Sequence, residues 1–301
     1  MKVQIIGGTG FIGGHLMNYL QRVGEEVISL SLREDDWRDK IDDDAYAIVN
    51  LVGKAHDHKR NTTEDEYYNT NLKLVQELFK EFLNSNAQLF VHLSSIACVE
   101  EFEADVPINE EVECHPISIY GKSKRAAEEW LLDQYVPIDK KVIILRPPMV
   151  YGSGDKGNLM RLYKFVSKGF PYPLSGFKNL RSFISIDNLS FFIFKILKNN
   201  SIENGIYHVA DDESISTKEI VEIIYKVKSR KVFSFSFPRR LIEFLAKLGD
   251  VVPLPLNTKS LKKMTASLLV SNTKLKNALK IEKLPETTQE ALEKTIRSFA
   301  R

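Results

Sequence analysis

Two cysteines, Cys98 and Cys114, are all that the 301 residues contain. They are too few for a disulfide framework and lack metal-site spacing, so both read as spare thiols. Long hydrophobic runs are missing as well: the longest, Ala45 to Val49, falls far short of the roughly 20 residues that span a bilayer. The chain opens Met1-Lys2-Val3-Gln4-Ile5-Ile6 and runs straight into glycines, without the apolar stretch of about 7 to 15 residues that marks a secretion signal. A cytoplasmic location is expected. Nor is charge of one sign in excess. Forty-two Lys and Arg against 40 Asp and Glu leave +2, which gives no electrostatic reason to wrap nucleic acid or coat an anionic membrane. The expected partner is small. Hydrophobic residues make up 43% of the chain, an ordinary globular composition that excludes disordered and fibrous architectures and allows one large or two modest domains.

Short β-branched apolar runs alternate with amphipathic stretches over the first two-thirds, the pattern of βαβ units and a mostly parallel sheet. Strands are predicted at Lys2–Ile6, Glu26–Leu32, Tyr46–Val52, Leu89–Leu93 and Lys141–Leu145, and helices at Phe11–Arg22, Thr63–Asn84 and Ser118–Tyr135. The acidic stretch Arg33–Asp44 is too short for a further helix–strand unit. After Tyr151 glycines and prolines recur, from Gly152 to Gly176, and long loops replace the alternation. The expected architecture is a Rossmann-type doubly wound α/β domain, residues 1–150 plus about 182–212, with a smaller α+β unit from about 151–181 plus 213–301. Asp187 is expected to cap a helix over 188–198, Gly205–Val209 to return to the sheet, and Phe233, Phe235 and Phe237 to alternate as a short strand. Helices are expected over Thr217–Val227, Arg239–Leu248 and Thr287–Phe299.

Gly7-Gly8-Thr9-Gly10-Phe11-Ile12-Gly13 follows a predicted strand and opens a predicted helix, the context that makes a glycine pattern a dinucleotide signature. Glycine reaches positive φ and lets backbone approach a pyrophosphate, while the free N–H groups of the helix start attract the anion. The second strand usually ends in a carboxylate that holds the adenosine ribose; here the position is near Ser31, and Arg33 follows, where a guanidinium suits a 2′-phosphate. NADP is therefore favoured over NAD, with Glu34 or Asp36 as the alternative ribose partner and Asp36-Trp37 at the adenine edge. Tyr120 and Lys124 stand at i and i+4, one helix face, where an ammonium favours the phenolate and tunes the phenol for proton exchange with a sugar or alcohol hydroxyl. The spacing alone is weak. It gains weight by following a glycine turn and a strand that ends in Ser94-Ser95, either of whose hydroxyls suits a proton relay. His56-Asp57-His58 lacks a third ligand partner and reads as a polar loop, so no metal is expected.

Taken in order, these segments resemble the NAD(P)-dependent nucleotide-sugar epimerase/dehydratase family of extended short-chain dehydrogenase/reductases. The likeness also runs through Asn50-Leu51-Val52-Gly53, Tyr67-Tyr68-Asn69-Thr70-Asn71, Arg146-Pro147-Pro148-Met149-Val150-Tyr151-Gly152 and Arg181-Ser182-Phe183-Ile184-Ser185-Ile186-Asp187. It implies Tyr120 as acid/base, Lys124 on the nicotinamide ribose, and Ser94 or Ser95 completing the relay. It further implies Asn71 supporting the active-site helix, Leu51, Val52, Gly53 and Lys54 lining the cofactor with Gly7, Gly10, Phe11, Ile12 and Gly13, Pro147 and Val150 at the nicotinamide, and Arg181 on the substrate diphosphate. Three places depart from the pattern. Ile96 stands where many sugar epimerases carry the active hydroxyl, which moves the role to Ser95, 25 residues before Tyr120, or to Ser94. Ile96-Ala97-Cys98 lacks the acidic pair of the dehydratases. Met149 replaces an Asn that commonly meets the substrate phosphates.

The resemblance implies hydride transfer at C4 of a nucleotide-diphosphate sugar, UDP-hexose or UDP-N-acetylhexosamine in type, by a 4-keto-sugar reductase, slightly favoured because of Arg33, or a 4-epimerase. The segment 261–274 is similar to that of relatives acting on N-acetylated 6-deoxy sugars in polysaccharide biosynthesis, and the helices over 63–84 and 118–135 are those through which relatives pair as homodimers. A small-molecule ketone reductase would want an apolar pocket, whereas Lys156, Arg161, Lys164, Lys178 and Arg181 suit a diphosphate. A non-catalytic NADP-sensing protein has no need of both Tyr120 and Lys124.

Overall fold

A computed structural model describes residues 1–55, 62–169, 172–174, 176–229, 238–251 and 257–300. The main sheet takes β1 (Lys2–Ile6), β2 (Glu26–Leu30), β3 (Ala47–Asn50), β4 (Leu89–Leu93), β6 (Lys141–Arg146) and β9 (Gly205–His208), with β5 (Ala104–Ile108) outside it. Its order is β2-β1-β3-β4-β6-β9, and every neighbouring pair is parallel. Helices α1 (Phe11–Arg22), α2 (Glu64–Tyr68), α3 (Leu74–Asn84) and α4 (Ile119–Leu132) serve as its crossovers. Between β2 and β3 only a 3-10 turn, Trp37–Lys40, occupies the short acidic stretch. The strand order therefore reverses between β1 and β3, and the carboxyl ends of the strands at such a reversal are the usual ligand position of these sheets.

Alternating side chains fill opposite faces, as the pleat requires. Ile5, Val49, Val91 and Leu145 pack with Leu16 and Leu20 of α1 and with Leu189, Phe192 and Ile196 of α6 (Ile186–Leu197). Ile6, Ile48, Phe90 and Ile144 pack on the other face with Leu78, Phe79 and Phe82 of α3 and Leu131 of α4. Emptying the fully buried Phe79 position to Ala would remove about 3–5 kcal/mol.

The later chain adds β7 (Met149–Tyr151), α5 (Asn158–Ser167), β8 (Phe183–Ser185), α7 (Thr217–Val227), α8 (Arg239–Gly249), α9 (Thr258–Thr265), β10 (Leu268–Val270), α10 (Thr273–Leu279) and α11 (Thr288–Phe299). Tyr151, Leu159, Tyr163, Ile220, Ile224, Leu292 and Ile296 form a second core from β7, α5, α7 and α11. Leu275, Leu279 and Leu284, expected with that second unit, pack instead in the core beneath the sheet. No helix among the described residues is long and apolar enough to cross a membrane.

Several boundaries differ from the sequence expectation for local reasons. β3 stops at Asn50 because the Asn50 Oδ1 accepts from Val52 N at 3.1 Å, turning the chain early. The helix expected over 63–84 is interrupted by a π-turn at Asn69–Lys73. Asp187 does not cap α6: the helix starts one residue before it, capped by Ser185 Oγ, which accepts from Asn188 N at 3.0 Å. Asp187 lies in the first turn and pairs with Lys294 at 2.7 Å. The alternation of Phe233, Phe235 and Phe237 and the His56-Asp57-His58 loop lie outside the described residues. The parallel pairs β5–β10 and β7–β8 had no counterpart in the sequence reading.

Candidate active site

The glycine turn joins β1 to α1 at the sheet's reversal point. Gly7 has φ +86°, and a Cβ added to Gly13 would lie 2.3 Å from the Gly7 carbonyl and 2.7 Å from Gly8 Cα, so only glycine lets α1 abut the turn. Gly10 N donates to Gly7 O at 3.0 Å and closes it. Gly10, the N-cap of α1, has no side chain to bond the first N–H groups. The result is a glycine cradle beneath a helix start, which fits a dinucleotide pyrophosphate. Phe11 and Ile12, half-buried, form the first turn of that helix.

Past β2, Ser31 is half-buried and Arg33 exposed. Among the described residues no carboxylate lies within ion-pair reach of the Arg33 guanidinium, whereas Glu34 and Asp36 both engage Lys40, Asp36 at 3.0 Å. Trp37 is only 3% exposed. Its ring packs with Leu30 and Ile48 in the core and under the Arg38 guanidinium, so it presents no face to an adenine, contrary to expectation. Burying that large apolar surface outweighs leaving it at the crevice.

Helix α4 carries Tyr120 and Lys124. Ser118 Oγ caps it, accepting from Gly121 N at 3.0 Å, and the Glu101 carboxylate accepts from Ser118 N at 2.7 Å and Ile117 N at 3.1 Å. A Cβ on Gly121 would sit 2.4 Å from the Ala97 carbonyl, so this glycine seats the helix against the 3-10 turn Ile96–Cys98. On the helix so seated, the Tyr120 phenol has the Ser95 hydroxyl as its polar side-chain neighbour. Ser95 Oγ also accepts from Ala97 N at 3.2 Å, while Ser94 is buried and turned to Cys98 Sγ at 3.2 Å. Of the two serines, Ser95 is the one that acts on the phenol.

Lys124 is 3% exposed, and its Nζ donates to the Leu93 carbonyl at 2.8 Å. The same nitrogen lies 2.9 Å from where a Cβ would stand on Gly53. Burial lowers its pKa to about 8. Burial also pushes the Tyr120 phenol up to about 12, the Ser95 hydrogen bond working the other way. The expected lowering of the phenol by the ammonium is therefore not found: desolvation dominates, and the ammonium is anchored to β4 backbone.

Asn71, fully buried on the π-turn, ties these parts together. Its Oδ1 accepts from Lys54 N at 2.8 Å, and its Nδ2 donates to Lys54 O at 3.1 Å and to Ser123 Oγ at 2.9 Å. Ser123 Oγ donates in turn to the Tyr120 carbonyl at 2.9 Å. Leu51 and Val52 stand half-buried beside Gly7, with Val52 Cγ2 3.2 Å from where its Cβ would lie. Lys54 Nζ pairs with Glu66 at 2.8 Å.

The opposite wall follows β6. Pro147 is buried, its carbonyl accepting from Ile96 N at 2.9 Å, and Met149 and Val150 are half-buried on β7. Arg181 bridges Ile215 and Leu268 through its backbone, and its guanidinium, shielded enough that burial lowers its pKa, donates to Ala266 O at 3.3 Å. Lys156, Arg161, Lys164 and Lys178 are exposed. Sequence reasoning missed Glu101 and the buried pair Arg146–Glu128, joined at 2.9 and 2.6 Å, which locks α4 to β6. A charged residue at 128 in a helix whose neighbours Ala127 and Leu131 are apolar was the available signal.

Comparison with known proteins agrees with the fold. Residues 3–210 match the NAD dependent epimerase/dehydratase family. A UDP-glucose 4-epimerase of Vibrio cholerae is 26% identical over 99% of this chain and 95% of its own. A UDP-glucuronic acid 4-epimerase of Bacillus cereus, solved with NAD, superposes with TM-score 0.76 at 18% identity over 100% of this chain and 99% of its own. RMD of Pseudomonas aeruginosa, solved with NADPH, gives the same values. The chain is thus an enzyme of the NAD-dependent epimerase/dehydratase family, within the extended short-chain dehydrogenase/reductases.

Proposed function

We propose that this enzyme transfers hydride between a nicotinamide and C4 of a hexose linked to a nucleoside diphosphate, with a UDP-hexose or UDP-N-acetylhexosamine as the substrate class. The observation that carries the reading is that Tyr120 neighbours the Ser95 hydroxyl on the helix whose Lys124 Nζ abuts Gly53, next to the Leu51 and Val52 that border the Gly7 turn. The cofactor, when bound, supplies or accepts the hydride. Tyr120, protonated at neutral pH, donates its proton to O4 of a 4-keto sugar, and Ser95 orients that oxygen. Lys124, anchored on the Leu93 carbonyl, would hold the cofactor ribose. Asn71 fixes Lys54 and, through Ser123, the start of α4. Arg181, with a partly desolvated guanidinium, suits a diphosphate.

Two versions of this activity divide on the cofactor. Arg33, just past β2 and with no carboxylate in ion-pair reach among the described residues, supports NADPH and a 4-keto-sugar reductase that releases oxidised cofactor. The Vibrio cholerae relative supports a 4-epimerase that retains its cofactor and returns the hydride to the opposite face. Incubation of the pure protein with UDP-sugars and 4-keto UDP-sugars, followed by NADPH absorbance and product NMR, separates them. Stoichiometric NADPH loss with a keto sugar supports the reductase, and interconversion of C4 epimers without net oxidation supports the epimerase. Turnover of neither class, alongside reduction of hydrophobic ketones, would overturn the reading. A cytoplasmic homodimer joined through α3 and α4 belongs to the same proposal and is tested by light scattering.

A further inference from the structure

The overall charge of +2 conceals a strong asymmetry. Residues 228–265 contain nine Lys and Arg against two Asp and Glu, while the rest of the chain has 33 against 38. Within this basic stretch lies α8, a helix with two apolar faces. Ile242 and Ala246 point into the second core. On the other side, Leu241, Phe244, Leu245 and Leu248 are 40–57% exposed, with Val251 just beyond the helix at 87% and Met264 of the neighbouring α9 at 48%. A contiguous apolar patch on a water-facing helix signals a binding surface. Arg240 and Lys247 stand at i and i+7 along one border of that stripe, in line with Phe244 at i+4. Among the described residues neither has a carboxylate within ion-pair reach. The acids of the element are engaged elsewhere: Glu243 pairs with Arg239 at 2.7 Å, and the Asp250 carboxylate accepts from Thr258 N at 3.0 Å.

We infer that α8 docks the enzyme onto an anionic phospholipid surface, its Leu241/Phe244/Leu245/Leu248 stripe entering the interface while Arg240 and Lys247 meet the headgroups. An interfacial helix has this design: bulky apolar residues on one face, with basic side chains at the border reaching out to lipid phosphate. The charge asymmetry selects an anionic lipid over an apolar protein partner, since attraction to such a surface grows with each basic residue close to it. None of these residues belongs to the proposed catalytic site, so docking and turnover are separable.

The test is co-sedimentation of the full chain with vesicles of phosphatidylglycerol and phosphatidylcholine, against vesicles of phosphatidylcholine alone. Binding is expected only with phosphatidylglycerol, weakening as salt screens it. Arg240→Glu/Lys247→Glu should reduce vesicle affinity by an order of magnitude or more, and Phe244→Glu/Leu248→Glu should abolish it. Melting temperature and NADPH binding should remain unchanged in both. The charge variant alters exposed side chains only, so it decides the matter even if the apolar variant misfolds. No sedimentation with phosphatidylglycerol vesicles, or binding that the charge variant leaves intact, would overturn the inference. So would self-association in sedimentation velocity that Arg240→Glu/Lys247→Glu or Phe244→Glu/Leu248→Glu removes, which would make a second copy of this chain the occupant.

Discussion

The ammonium nitrogen of Lys124 lies 2.9 Å from the point where Gly53 would carry a side chain. The amine therefore depends on the absence of one methyl group. Gly53→Ala should push Lys124 aside while leaving the fold intact, because position 53 is itself exposed. A displacement of about 1 Å at this place is expected to lower kcat/KM about 100-fold, with an unchanged circular dichroism spectrum. Steady-state kinetics of the variant check it.

The two serines after β4 should separate cleanly. Ser95→Ala removes the hydroxyl that meets Tyr120 and is expected to lower kcat by about 10- to 1000-fold, whereas Tyr120→Phe lowers it by about 100- to 10,000-fold. Ser94→Ala touches only Cys98 and should leave turnover within a few-fold of normal. Equal losses at both serines would contradict the assignment.

Burial of Lys124 has a defined pH signature. Its pKa falls from an ordinary 10.5 to about 8 in the folded chain, so between those values the unfolded chain binds more protons and stability rises with pH. Below about pH 8 the full penalty is present, about 3 kcal/mol for a shift of this size. Above about pH 10 the Tyr120 phenol, raised to about 12, acts in the opposite direction, and stability falls as pH climbs further. Lys124→Met should thus be inactive yet melt several degrees higher than the parent at pH 7, and the gap should close near pH 10. Thermal unfolding at the two pH values measures this.

Arg33 makes a quantitative prediction about cofactor choice. Removing a guanidinium that pairs with a 2′-phosphate costs about 1.5–3 kcal/mol, so Arg33→Ser should weaken NADPH about 10- to 100-fold and leave NADH nearly unchanged. Fluorescence titration of the two cofactors reads the ratio directly.

Glu128→Ala strands the Arg146 guanidinium in the interior. Arg146 is 1% exposed, and although burial alone would lower its pKa, the Glu128 carboxylate holds it above its ordinary range. Losing that partner should destabilise the fold by about 3–5 kcal/mol, read as a lowered urea midpoint. A neutral Glu128→Ala would mean that water reaches the arginine.

Features encoded by neighbouring residues are legible in the sequence. The glycine turn and α1 are specified within positions 7 to 22, and the phenol–amine face of α4 within five residues, so short-range spacing sufficed for both. Which serine meets Tyr120 was not legible, because it depends on how Gly121 seats α4 against the Ala97 carbonyl. The ammonium's effect on the phenol was misjudged for a related reason: shared helix face was visible, but depth was not, and depth sets both pKa values. Glu101, Glu128 and the π-turn that aims Asn71 act through partners 16 or more positions away, where spacing carries no information. Trp37 was misplaced because an aromatic at a strand end reads equally as a ligand platform or as core, and only the packing around Leu30 and Ile48 decides.

The pairing of β10 with β5 bears on biosynthesis. Leu268 bonds alongside Ala104, 164 positions earlier, and Ala104 follows closely on the loop that holds Ser95. On the ribosome, the sheet and its glycine turn emerge first and can collapse as a unit, while β5 waits for a strand not yet translated. For that interval β5 offers an open edge to any passing strand, so slowed elongation or premature stop codons between His208, where the sheet is complete, and Leu268 would expose a sticky intermediate that already carries its glycine turn.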